Sequence, residues 1–95
     1  MRNYEAMYVL KPELEEEALN AAIARFEEVV TNNGGEVVKT DRWGKRRLAY
    51  EVKGYLEGFY VLMEFKAPNT LSQELDRIFK IQDDVIRHLV VKKDE

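Results

Sequence analysis

The chain has 95 residues, of which 45% are hydrophobic and 35% charged, and its formal net charge is −3. This length suits one core, so we expect a single domain over residues 1–95. The chain has no cysteine, which excludes disulfides, thiolate metal sites and cysteine nucleophiles. We find no signal-like N-terminus and no apolar run near the ~20 residues of a bilayer span. A cytoplasmic protein with no membrane partner is therefore expected.

The charge is unevenly distributed along the chain. Acidic residues dominate positions 13–28, whereas five basic residues lie between positions 39 and 47 and are opposed only by Asp41. A net-acidic protein is a poor ligand for nucleic acid on its own, because phosphate binding depends on a basic surface. The basic segment is nevertheless the strongest local signal for such a partner.

The first half of the chain predicts a strand, a helix and extended chain. Alternating apolar and polar residues predict a strand over 3–10. Apolar residues at steps of three and four predict a helix over about 13–32, with Pro12 in its first turn and a stop at residues 32–35. Segments 36–40 and 48–52 have strand character. Between them, Trp43-Gly44 indicates either a bulge in one long strand or a sharp bend.

The second half predicts a turn, a central strand, a helix and a last strand. Glycines at both ends predict a turn over 54–58, and the apolar run 59–65 predicts a strand. The spacing of Thr70 and Gln73 predicts a capping box that opens a helix. A loop over 82–84 and a strand over 85–91 follow. The order βαββαβ predicts an α+β, ferredoxin-like sandwich, in which a four-stranded antiparallel sheet carries two helices on one face.

Several site types can be weighed from residue chemistry. In the basic segment, arginine forks suit phosphate and Trp43 suits stacking on an unpaired base, although charged hairpins also serve simply to resist aggregation. On strand 59–65 we expect Phe59, Val61, Met63 and Phe65 to point inward. The strand matches an RNA-recognition motif poorly, because Glu57, Tyr60 and Val61 stand where a basic, a small and a stacking aromatic residue are expected. The other face, with Tyr60, Leu62 and Glu64, favours protein docking.

Catalytic and metal sites find no support in the sequence. No sequence motif pairs His88 with a nucleophile or with a carboxylate that would orient its ring. The pair Asp83-Asp84 is typical of a turn. A ferredoxin needs cysteines, and an acylphosphatase-like site needs a phosphate cradle where this chain has Lys11-Pro12-Glu13-Leu14-Glu15. We therefore predict no enzyme, no cofactor and no metal.

One segment resembles a known family. Gly44-Lys45-Arg46-Arg47-Leu48-Ala49-Tyr50-Glu51-Val52-Lys53 is similar to the signature of bacterial small-subunit ribosomal protein six. The opening Arg2-Asn3-Tyr4-Glu5, the proline after the first strand and the closing Val90-Val91-Lys92 also resemble that family. The likeness covers essentially the whole chain. It departs at Val52, where isoleucine is common, and the chain ends soon after its last strand.

The resemblance implies a structural constituent of the small ribosomal subunit in the cytoplasm. Such a protein would be a monomer when free and would bind small-subunit (16S) ribosomal RNA together with ribosomal protein eighteen. It implies RNA contacts by Lys45, Arg46 and Arg47 of the matching segment, Arg42 of the same hairpin, Arg2 of the adjacent sheet end, and Arg87 and Lys92 of the last strand. Leu48 and Tyr50 are expected in the core.

The open face around Tyr60, Leu62 and Glu64 is the expected docking site for the partner protein. The alternative is a non-ribosomal, ferredoxin-like regulatory or small-ligand module whose open face mediates dimerisation.

Overall fold

The computed structural model describes residues 1–93, so Asp94 and Glu95 of the polar tail lie outside the described residues. The elements are β1 (Arg2–Leu10), α1 (Glu16–Asn32), β2 (Glu36–Val52), β3 (Tyr55–Ala67), α2 (Asn69–Ile81) and β4 (Val85–Lys92). Their order is the predicted βαββαβ.

The strands form one four-stranded sheet in the order β2-β3-β1-β4, and every neighbouring pair is antiparallel. Both helices pack against one face of this sheet, so the predicted ferredoxin-like α+β fold is confirmed. Tyr8 of β1, Phe26 of α1 and Phe79 of α2 meet at the centre of the core, with ring centroids 4.9, 5.0 and 4.7 Å apart. From β3, Val61, Met63 and Phe65 are buried and Phe59 packs at the margin, as predicted.

A β-bulge interrupts β2. Its register with β3 passes from Arg42 opposite Val61 directly to Gly44 opposite Tyr60, which leaves Trp43 without a partner. Gly44 has φ +89°, a conformation that glycine adopts without steric cost. Of the two predicted alternatives, the structure therefore has the bulge in one long strand.

The hairpin turn differs from its prediction. Val52 pairs with Tyr55, so the loop is only Lys53-Gly54, with φ of 52° and 86°, as in a type I′ turn. The prediction of a turn over 54–58 was wrong, because residues 55–58 belong to β3. Gly58 has a packing role instead: a Cβ there would collide with Cγ1 of Val9 and lie 3.2 Å from Cδ1 of Ile86.

Both helix starts also differ. A separate turn, in which the Leu14 amide donates to the Lys11 carbonyl at 3.4 Å, precedes α1, and Glu15 keeps extended backbone. The helix therefore begins at Glu16, with Pro12 outside it. In α2 the N-cap is Pro68 and no side chain caps the helix, so the predicted capping box was wrong.

Candidate nucleic-acid interface

The β2–β3 hairpin projects beyond the rest of the sheet. The last β1–β3 pair is Leu10 with Phe59, and the β2 partner of Phe59 is Lys45. Residues 46–58 therefore lie past the end of β1. This projection carries most of the segment that resembles the family signature.

A second, smaller core holds the hairpin to the sheet. Leu48 is buried against Val9 and Ile86, and Val52 and Tyr60 pack around them. The prediction that Leu48 lies in a core is confirmed, although that core is on the face opposite the helices. Tyr50 was predicted there as well and is instead 62% exposed. Alternation alone would place Tyr50 on the side of Leu48, but the β2–β3 register is irregular between Arg47 and Val52, and the Tyr50 ring lies against the Arg87 guanidinium instead of in the small core.

The three basic residues of the signature lie on both sides of the hairpin. Cross-strand partners share a face: Lys45 lies opposite Phe59 and therefore on the helix side, whereas Arg46 lies opposite Gly58 on the open side. Arg47 lies opposite Glu57. All three side chains are exposed, and no carboxylate within residues 1–93 forms an ion pair with them.

Arg87 joins this group from β4. Its guanidinium stacks on Tyr50 of the hairpin and donates a hydrogen bond to the tyrosine hydroxyl. The contact keeps Arg87 beside the hairpin and accounts for the exposed position of Tyr50.

Arg42 belongs to the same hairpin but points to α1. Its Nη2 donates to Oδ1 of Asn20 at 2.6 Å, and its Nη1 lies 3.6 Å from Oε2 of Glu16. Lys39, on the other face, pairs with Asp41 at 3.4 Å. Both cations are thus partly neutralised by acids of the chain.

Arg2 and Lys92 lie at the far end of the sheet from the hairpin. Arg2 pairs with Ala67, and Lys92 pairs with Tyr4. At a rise of ~3.4 Å per residue, Arg2 is about 27 Å from the Leu10 end of β1. The expectation that Arg2 lies beside the hairpin was wrong, because β1 runs away from it. The structure therefore divides the predicted RNA-contacting residues into two groups.

The open face carries the three residues predicted for partner binding. Tyr60, Leu62 and Glu64 alternate on it as predicted, each partly exposed. Leu89 of β4 is 61% exposed and Val91 43% exposed on the same face. Sequence reasoning missed these two, although their alternation with Arg87 was a signal for them. A shallow cavity of about 360 Å³ lies nearby, lined by Met7, Val9, Ala49, Tyr60, Arg87, His88 and Leu89.

His88 has a structural partner. Its Nε2 lies 2.8 Å from Oδ1 of Asp76 on α2, and its ring packs against Phe79. Alternation predicts that Ile86 and His88 share a face. The β1–β4 register shifts between Val9 and Leu10, however, and this shift turns Ile86 to the open face, so the two side chains lie on different faces. Within residues 1–93 no cluster of three or more potential ligands could hold a metal ion. No helix in that range is long and apolar enough to cross a membrane.

Fold and site together define a ferredoxin-like sandwich that presents a basic hairpin and a partly apolar open face. The sequence model of the family described as Ribosomal protein S6 matches residues 3–92. Proteins named small ribosomal subunit protein bS6 are similar over the full chain. The one from Heliobacterium modesticaldum is 57% identical (100% of this chain, 99% of its own length), and that from Desulforamulus reducens is 55% identical (100% of both).

A solved structure agrees. The crystal structure of 30S ribosomal protein S6 from Thermotoga maritima is 28% identical, with a TM-score of 0.92, and the match covers 97% of this chain and 87% of that one. The chain therefore belongs to the ribosomal protein S6 family. As a member it is a structural, non-enzymatic protein of the small ribosomal subunit, located in the cytoplasmic ribosome.

Proposed function

We propose that the chain binds small-subunit (16S) ribosomal RNA through its basic hairpin, together with ribosomal protein eighteen on its open face. One observation carries the RNA part. Lys45, Arg46 and Arg47 are exposed on a projecting hairpin and have no ion pair within residues 1–93. Cations that form no ion pair with the chain's own acids release counterions from phosphates without first breaking such a pair, so their contact with RNA is favourable.

The partner part follows from the charge balance and the open face. A net charge of −3 repels a polyanion at long range, so the hairpin alone supplies little affinity. The open face has exposed Leu89, which lines a cavity, and exposed Val91. Apolar area that is covered in a complex strengthens that complex. A second protein docked there adds affinity that the hairpin lacks.

The remaining predicted contacts depend on the path of the RNA. Arg87 lies beside the hairpin and shares its phosphates. Arg42 contacts RNA only if it leaves Glu16 and Asn20. Arg2 and Lys92 contact RNA only if the RNA spans both ends of the sheet. All four roles stay predictions.

The RNA part is tested by filter binding of the chain with protein eighteen to 16S RNA over a range of salt concentrations. The variant Arg46→Ala/Arg47→Ala should bind more weakly and lower the magnitude of the salt slope by roughly 1.5, the value for two lost phosphate contacts. Arg77→Ala is the control, because Arg77 is an exposed arginine on α2 paired with Glu74. Equal slopes for the double variant and this control would refute the assignment of the hairpin.

The partner part is tested by sedimentation of the chain alone and with protein eighteen. The free chain should be a monomer, and the mixture a heterodimer. Leu89→Glu should abolish the heterodimer, whereas Ile81→Glu, also at a 61% exposed apolar residue but at the end of α2, should not. A homodimer of the free chain that is unaffected by protein eighteen and RNA would refute the partner part.

A further inference from the structure

Trp43, the one tryptophan of the chain, lies on the surface of the hairpin. It is 41% exposed, and it occupies the bulge of edge strand β2, between the paired residues Arg42 and Gly44. A bulge turns a side chain away from the regular alternation of its strand, and bulges are frequent next to functional sites. An indole gains much from being covered, so an exposed one in a re-aimed position suggests a contact with another molecule.

Arg46 lies against this indole. Its guanidinium carbon is 5.3 Å from the ring centre, within the range of a cation–π contact. The cross-strand neighbour of Arg46 is Gly58, which has no side chain that could hold the guanidinium elsewhere. The collision that any Cβ at position 58 would make with Val9 keeps this neighbour small. The result is a planar aromatic ring next to a planar cation.

We propose that Trp43 and Arg46 form a stacking site for an unpaired nucleobase, with the base on the indole and the guanidinium on a neighbouring phosphate. The inference rests on the proposed RNA binding, and it names two residues that would bind one unpaired nucleotide of the RNA. An aromatic ring with an adjacent arginine is the usual platform for single-stranded nucleic acid. The charges that follow Trp43 favour a polyanion over a protein surface, because Lys45, Arg46 and Arg47 are all cationic and unpaired within residues 1–93.

The proposal makes Trp43 different from the arginines in one measurable respect. The indole carries no charge, so its loss removes affinity without removing a counterion-releasing contact. Trp43→Leu should weaken RNA binding roughly ten-fold or more and leave the salt slope unchanged. Trp43→Phe, which keeps an aromatic face, should retain most of the affinity. Thermal unfolding of both variants checks that the hairpin is intact.

The position of the base is tested by fluorescence. The chain is produced with 5-hydroxytryptophan at position 43, so that its emission can be excited apart from any tryptophan of the partner protein. In the presence of protein eighteen, the addition of 16S RNA should quench this emission, because a stacked base quenches the indole. Poly(U), whose bases stack weakly, serves as a reference for quenching by simple proximity.

The outcomes separate the two proposals. Salt-sensitive RNA binding with unquenched emission and full affinity of Trp43→Leu would overturn the stacking site and leave RNA binding by the hairpin intact. An emission change on addition of protein eighteen alone would overturn it as well, because a protein would then cover the indole. No RNA binding by the wild-type complex would overturn both.

Discussion

The guanidinium carbon of Arg87 lies 5.4 Å from the ring centre of Tyr50, and Nη1 of Arg87 donates a hydrogen bond to the Tyr50 hydroxyl at 3.2 Å. This contact links β4 to the projecting hairpin across the small core of Leu48, Val9 and Ile86. It makes the position of the hairpin depend on an exposed polar contact as well as on buried apolar area.

Removal of this contact should loosen the hairpin without unfolding the sheet. In Tyr50→Ala we expect the amides of residues 46–57 to exchange with solvent faster, because an exposed cation–π contact of about 0.5–1 kcal/mol is lost. Amides of β1 and β3 in the main core should be unaffected. Hydrogen exchange followed by NMR measures both sets, and equal exchange rates of the hairpin in variant and wild type would contradict the role given to Tyr50. Tyr50→Phe, which keeps the ring and loses the hydroxyl, separates the cation–π contact from the hydrogen bond.

A substitution in the hairpin turn should raise the stability of the protein. Lys53 has φ 52°, which costs an ordinary side chain free energy that asparagine largely avoids. We expect Lys53→Asn to raise the free energy of unfolding by about 0.5–1 kcal/mol in urea titrations. Lys53→Gln removes the same charge without the conformational benefit. A gain of equal size in both variants would mean that charge, not backbone conformation, is responsible.

The hydroxyl of Tyr8 should be dispensable. It is buried and has no hydrogen-bond partner among residues 1–93, and burial keeps the pKa of this hydroxyl well above its usual range. Tyr8→Phe keeps the contacts with Phe26 and Phe79 and removes an unsatisfied polar group, so the free energy of unfolding should rise by about 1 kcal/mol. In the comparison variant Tyr4→Phe, a hydroxyl that donates to Oδ1 of Asn69 at 3.3 Å is lost, and no gain is expected. Lower stability of Tyr8→Phe in thermal or urea unfolding would contradict the prediction.

Gly58 should not tolerate a side chain. In Gly58→Ala the new Cβ meets Cγ1 of Val9, so we expect a loss of about 1–3 kcal/mol in the free energy of unfolding. The double variant Gly58→Ala/Val9→Ala removes the colliding atom and should be more stable than additivity of the two single variants predicts. Additive losses in urea unfolding would count against a direct collision.

Asp76 should give the protein a pH-dependent contribution to stability. Desolvation raises the pKa of its carboxyl, but hydrogen bonds from His88 and Lys80 outweigh that effect, and the pKa lies below its usual value. A folded pKa below the unfolded value of ~3.9 gives stability that is present above that pH and is lost as pH falls through the folded pKa.

The variant Asp76→Asn should therefore be less stable than wild type near neutral pH, by about 0.5 kcal/mol because the group is partly exposed. The difference should shrink as the pH falls below about 4. Urea unfolding across pH measures it. Asp83→Asn, at an exposed carboxylate with no ion pair within residues 1–93, controls for the general effect of charge. A difference that does not vary with pH would exclude the carboxylate as its source.

Local patterns were sufficient for the type and order of the elements and for one face of the sheet. The alternation in β3 correctly assigned Val61 and Met63 to the core and Tyr60 and Leu62 to the open face. The glycine pair after α1 correctly marked its end. Local patterns failed where a residue type has two uses. Gly58 was interpreted as a turn residue, although its small size is required by Val9, and Thr70 resembled a cap although Pro68 precedes the helix.

The sequence by itself determined the element order, the family and the basic character of one hairpin, because neighbours in the chain carry periodicity, motif and charge. Only the tertiary structure decided that Arg42 turns to Glu16, that Tyr50 is exposed beside Arg87, and that Arg2 lies at the far end from the hairpin. The physical reason is strand register. It is set by contacts between distant segments, and each bulge reverses the face on which every following side chain lies.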